Sequence, residues 1–153
     1  MAPIDFDAIV QGATFTSTRR TITEADIMGF AGVSGDFNPL HVDEVFAAQE
    51  TPFGRRIAHG LLGVAIGSGL RSGMDDWRLL AFLETRRRFQ APMFAGDTIH
   101  IEATVASVRR SSSKPDRGVV TIDVRLVNQD GTVVQSGQDV VLVGTNAEAK
   151  EAP

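Results

Sequence analysis

The sequence predicts an α+β fold in which an antiparallel sheet curls around one buried helix. Three observations carry this expectation. Helix start and stop signals crowd the first half of the chain, and alternating strand patterns fill the second half. Between them, His59 to Gly73 is apolar on every side, as a helix enclosed by other elements would be. The 153 residues fit one domain, 1–153, and a core of that size needs no disulfide or metal staple.

Thr14 to Ile22 is Thr-rich with Phe15 inside it, which suits a strand. Thr23 then offers a helix N-cap, with Asp26 placed for a capping box and Ile22 and Ile27 spaced for a hydrophobic staple. Ile27, Phe30 and Ala31 give that helix an apolar face, and Gly32 and Gly35 end it. Asp43 caps a short helix to about Gln49, which Thr51-Pro52 stops because the residue before proline leaves the α region.

In the central helix, Gly63, Gly67 and Gly69 each cost roughly 0.8–1 kcal/mol relative to alanine, so something must approach that backbone closely. Leu79 to Phe89 reads as a long strand. Ile99, Ile101, Ala103 and Val105 alternate with polar residues, as do Ile122, Val124 and Leu126. Asp130-Gly131 marks a hairpin before Thr132 to Val143, and residues 146–153 form a fraying tail. Four hairpin-connected strands plus an early fifth make a five-stranded antiparallel sheet around the central apolar helix. That arrangement is the hot-dog fold.

Composition narrows the function classes. A net charge of −4 argues against nucleic acid as the main partner. The absence of cysteine excludes disulfides, thiolate nucleophiles and Cys-ligated zinc. The N-terminus lacks a basic n-region, and the longest apolar run, Gly60 to Leu70, is too short to span a bilayer. A soluble cytoplasmic protein with no membrane partner is expected. No metal-ligand spacing, nucleophile elbow or phosphate loop is present, so neither metal nor cofactor is expected.

The residues that could do chemistry lie on Ser34-Gly35-Asp36-Phe37-Asn38-Pro39-Leu40-His41 and Ala58-His59-Gly60. Asp36 and His41 could exchange a proton near neutral pH, and Asn38-Pro39 makes the segment between them a turn. Spacing alone also admits an Asx turn at Asp36 and a helix-capping His41. Gly60 opens the central helix, where an unpaired amide and the helix dipole could stabilise an enolate oxygen; equally, it could merely relieve crowding. Ser68 bonds its own helix unless it faces Asp36. His59 packs or caps, and His100 falls on the polar, solvated face of its strand. The basic residues Arg86, Arg87, Arg88, Arg109, Arg110, Lys114 and Arg117 read as solvated faces or as contacts for phosphates.

These two segments, with Pro92-Met93-Phe94-Ala95-Gly96-Asp97, resemble the MaoC-like dehydratases, a group that includes the (R)-specific enoyl-CoA hydratases. The likeness runs from about Thr14 to Val143. It implies a homodimer or higher homo-oligomer acting on an acyl-CoA or acyl carrier protein thioester in fatty acid metabolism. By position, Asp36 and His41 match the catalytic pair, and Gly60 matches the glycine whose amide binds the thioester carbonyl. Ser68 falls in the Gly-Ser-Gly segment, near the pair in the hydratases, and Asn38 matches an orienting asparagine. Gly63, Val64 and Ala65 line the helix where side-chain size could set acyl length, and Gly63 permits a roomier pocket. The expected reaction is reversible hydration of a trans-2-enoyl thioester to the (3R)-3-hydroxyacyl product. Its rivals are thioester hydrolysis on the same fold and a non-catalytic acyl-CoA-binding subunit.

Overall fold

The computed structural model describes residues 2–70 and 72–145; the tail expected at 146–153 lies outside them. Strands β1 (Thr14–Thr16) and β2 (Arg20–Thr21) precede helices α1 (Glu24–Ser34), α2 (Pro39–Val42), α3 (Glu44–Glu50) and α4 (Gly60–Ser68). Strands β3 (Leu79–Phe89), β4 (Thr98–Arg110), β5 (Arg117–Val127) and β6 (Val133–Gly144) follow.

The sheet runs β1-β4-β5-β6-β3, with β2 also paired to β4, and every pairing is antiparallel. The expected five strands are therefore present, joined by the two-residue β2. The connectivity differs in one respect. β3 does not form a hairpin with β4, because β1 and β2 occupy that edge; it crosses the sheet and pairs with β6.

Inward-facing Ile101, Ala103, Val105, Val120, Ile122, Val124 and Leu126 share one core cluster with Leu62 and Ile66 of α4. The sheet thus wraps the helix in the hot-dog arrangement. The helix is shorter than its apolar pattern, ending at Ser68 with Gly69 as its C-cap. It is also not enclosed: Leu62, Gly63 and Ile66 are buried, but Leu61, Ala65 and Ser68 form an exposed stripe on the side away from the sheet.

Local chemistry explains the smaller elements. Thr23 and Asp26 form a reciprocal capping box, and Gly35 ends α1 in the left-handed region, with φ 76°. Gly32 continues the helix rather than stopping it. The long strand expected from Thr14 to Ile22 is broken into β1 and β2, and Ser17 between them donates its N–H to Ile101 and accepts from the Ile101 N–H. His100 departs from expectation. It is buried, not solvated, because residues 17–21 run along this end of β4.

Gly137 of β6 sits opposite Arg87 of β3, and a Cβ there would lie 1.8 Å from the Arg86 carbonyl oxygen. Gly137→Ala should therefore lower stability by about 1–3 kcal/mol in urea unfolding, since the obstructing atom is backbone. Asp26 gives a pH-dependent test. Burial opposes its ionisation, but hydrogen bonds from the Thr23 amide and hydroxyl, together with Arg20, outweigh it and hold the carboxyl below the ordinary value of 3.8. A lowered folded value stabilises above the unfolded value and ceases to stabilise as pH falls through the folded one. Asp26→Asn should cost about 1 kcal/mol at neutral pH, and the difference from wild type should vanish in strongly acidic unfolding titrations.

Candidate active site

The segment after α1 is held by side chains bonding to nearby backbone. The Ser34 hydroxyl donates to the Phe30 carbonyl and accepts from the Asp36 N–H. Asp36 Oδ1 accepts from the Asn38 N–H at 3.2 Å, and Asn38 Oδ1 accepts from the Leu40 N–H at 3.0 Å, capping α2 with Pro39 at its first turn. The Asx turn is thus real. It engages only one carboxylate oxygen, however, and leaves the other for different work.

That second oxygen, Oδ2, lies 3.9 Å from His41 Nε2. The gap is too long for a hydrogen bond and is one that a bridging water closes. His41 sits within α2 and caps nothing with its side chain. Its Nδ1 lies 2.8 Å from the Ile57 carbonyl. A carbonyl only accepts, so Nδ1 carries the proton and Nε2 is the atom presented to Asp36. The imidazole is 8% exposed as a residue, whereas the Asp36 side chain is 52% exposed. One partner is fixed, and the other is open to a reactant.

Gly60 begins α4 one residue after His59. The Leu62 and Gly63 amides reach the His59 carbonyl, and the Gly60 amide precedes the first intrahelical acceptor. The Phe89 ring covers this turn: a Cβ on Gly60 would lie 2.7 Å from it. Behind the turn, Gln135 of β6, 1% exposed, donates from Nε2 to the Gly60 carbonyl at 2.7 Å. Sequence reading missed Gln135. Counting back in twos from the inward Val143 and Val141 would have placed it on the concave face.

His59 does not cap α4 with its side chain; it packs, and its ring stacks on His41 with centroids 3.8 Å apart. Asp36, His41 and His59 each offer an atom within 4.8 Å of the others, a spacing that a cation could use. The stack works against it, because nearly parallel rings aim their in-plane lone pairs along separate lines.

Ser68 is not joined to the pair by any hydrogen bond; its hydroxyl donates to the Ala65 carbonyl at 2.8 Å. It lines a cavity of about 250 Å³ with Gly67, Leu70, Trp77, Ile122 and Val141, beside the Arg87–Asp139 ion pair. A second cavity of about 440 Å³ lies at the other end of α4, against Gly60, Leu61, Phe89 and Met93. Gly63, Val64 and Ala65 line neither. The room at Gly63 is filled: a Cβ there would meet Met93 Cε at 2.4 Å and Gln135 Nε2 at 2.5 Å. The roomier pocket that Gly63 permits is therefore not realised at that position.

The basic residues divide. Arg87 pairs with Asp139 at 2.7 Å while Thr85 donates to the other Asp139 oxygen; Arg110 pairs with Asp7, and Arg117 with Asp116. Arg88, Arg109 and Lys114 have no ion-pair partner among the described residues.

The MaoC-like domain model matches residues 5–128, and the chain belongs to that family. An (R)-specific enoyl-CoA hydratase of Aeromonas caviae is 35% identical over 117 residues, covering 76% of this chain and 83% of the relative. One from Rhodospirillum rubrum is 34% identical over 138 residues, covering 90% of each. The crystal structure of a MaoC-like dehydratase from R. rubrum superposes with a TM-score of 0.83 at 32% identity, covering 94% of this chain and 98% of that one.

Gln135→Leu tests the support behind Gly60. Removing the donor strands a buried carbonyl, which should cost about 1–3 kcal/mol in denaturant unfolding. An unchanged midpoint would mean that the Gly60 carbonyl finds water instead.

Proposed function

We propose that this chain hydrates trans-2-enoyl thioesters reversibly to (3R)-3-hydroxyacyl thioesters, with Asp36 and His41 as the acid–base pair. The observation that carries the reading is the 3.9 Å gap between Asp36 Oδ2 and His41 Nε2, with the latter directed there by the Ile57 carbonyl. The named activity of the relatives from A. caviae and R. rubrum supports the same reaction.

A water held between the two groups attacks Cβ while Asp36 takes its proton. His41, protonated at Nδ1, holds the water's other hydrogen at its bare Nε2 and helps deliver to Cα the proton that Asp36 has taken. Charge that builds on the thioester oxygen leans on the Gly60 amide, a donor type worth about 2.7–4 kcal/mol in acyl-transfer sites. The proton that Asp36 took from water ends on Cα and Asp36 leaves as the carboxylate, so the sum of the steps is one added water. Asn38 orients the segment by capping α2, and the acyl chain is assigned to the cavity of about 250 Å³ that Ser68 borders.

The substrate class is an acyl-CoA, with Arg88, Arg109 and Lys114 as the cations open to its phosphates. The reading also takes 1–153 as one domain that works as a homodimer in the cytoplasm. The dimer is supported by the unpaired edge of β3, where Leu79, Leu80, Phe82, Leu83 and Phe89 are all exposed in the single chain. Among the described residues, no helix is long and apolar enough to cross a membrane.

Asp36→Asn keeps the shape and removes the base. Hydration of crotonyl-CoA, followed by loss of enoyl absorbance, should fall by about 10²–10⁴-fold with melting unchanged. Undiminished turnover, or release of free thiol in place of hydration, would end the assignment.

A further inference from the structure

His59 touches each part of the site and has no role in the scheme above. It is 2% exposed, although it carries two polar nitrogens. Its Nε2 lies 2.9 Å from the Asp36 backbone carbonyl. Because that oxygen only accepts, Nε2 carries the proton, and Nδ1 is left as a bare lone pair. Nδ1 is buried without a hydrogen-bond partner among the described residues. The ring lies between the His41 ring, centroids 3.8 Å apart and 27° from parallel, and Phe30, centroids 5.1 Å apart. The His59 carbonyl in turn accepts the Leu62 amide and begins α4, immediately before Gly60.

A buried imidazole with one unsatisfied nitrogen is an expensive filler for a gap that an apolar ring could occupy. Its placement is explained by what the other nitrogen and the ring face hold. We infer that His59 is a positioning residue of this site: its Nε2–H fixes the Asp36 backbone, and its ring is the platform that sets the His41 imidazole. Asp36 is half exposed and lies on a turn, so a tether to its own carbonyl limits where the carboxylate can go. His41 is pinned at one nitrogen by Ile57, and the stack removes its remaining freedom to swing about that bond. The two imidazoles thus carry opposite tautomers, each chosen by a backbone carbonyl: Nδ1–H on His41 and Nε2–H on His59.

The inference rests on the assignment of Asp36 and His41 as the acid–base pair, and two variants divide its content. His59→Phe keeps a ring against His41 and loses the donor; His59→Gln keeps an amide N–H at similar reach and loses the ring. In the full-length protein each should lower kcat for crotonyl-CoA hydration by about 10- to 100-fold, as small misplacements of reacting groups do, with KM near its wild-type value. The double variant Asp36→Asn/His59→Phe should be no slower than Asp36→Asn alone, because a misplaced base matters only while there is a base.

Full kcat in both single variants, or a loss confined to KM, would overturn the inference while leaving the catalytic pair intact. Full activity of Asp36→Asn would instead overturn the pair. Should the His59 variants not fold, nitrogen NMR of the wild-type histidines decides the matter. The opposite tautomers are expected, and a proton on Nδ1 of His59 would refute the tether.

Discussion

The chain's entry into α4 is the constraint on which the site depends. Residues 51–59 lead from the helical segment to the first turn of α4, and the end of this crossing that enters α4 is pinned. The Ile57 N–H bonds the Leu40 carbonyl, the Ile57 carbonyl takes the His41 Nδ1 proton, and the Ala58 N–H bonds the Met93 carbonyl at 2.7 Å. Arg56 adds contacts to Glu44 at 2.7 Å and Glu24 at 3.0 Å, and the hydrogen bond it donates to Glu44 is the main reason that its guanidinium is held even more firmly protonated than usual. Both glutamates are more than half exposed, so these ion pairs add little stability. The buried backbone bonds decide the geometry. They set the distance between the proposed acid–base pair, Asp36 and His41, and the amide at the start of α4.

Much of this was legible in the residues because the signals were local. Thr23 with Asp26, Asp43, and the alternation of Ile99 to Val105 each refer to neighbours a few positions away, and each element formed where expected. Asp36 and His41 were legible as candidates for the same reason, since Asn38-Pro39 makes the turn between them, while their geometry is set by Ile57 and His59 from further along the chain.

The readings that missed were those that depended on distant partners. Apolarity alone could not say that Leu61, Ala65 and Ser68 of α4 would remain uncovered within one chain. His100 looked solvated because period-two reasoning treats the second face of a sheet as wet, yet it is buried at the end of β4 along which residues 17–21 run. Arg87 looked like its neighbours Arg86 and Arg88, yet only Arg87 of the three points inward, where Asp139 and the Arg86 and Gln138 carbonyls accept from its guanidinium. Gln135 and the role of His59 depend on contacts across 75 and 23 residues, which no short window contains.

The packing at Gly63 has a consequence for how such a sequence can vary. The missing side chain is replaced by the Met93 thioether from a loop and by the Gln135 amide from a strand, and that amide also holds the first turn of α4. These three positions therefore act as one unit of change. A larger residue at 63 has to displace the ends of two flexible side chains, Met93 and Gln135, and moving Gln135 takes the donor away from the Gly60 carbonyl. Single substitutions there will show strong epistasis, so drift or redesign of the helix face has to proceed by coordinated steps.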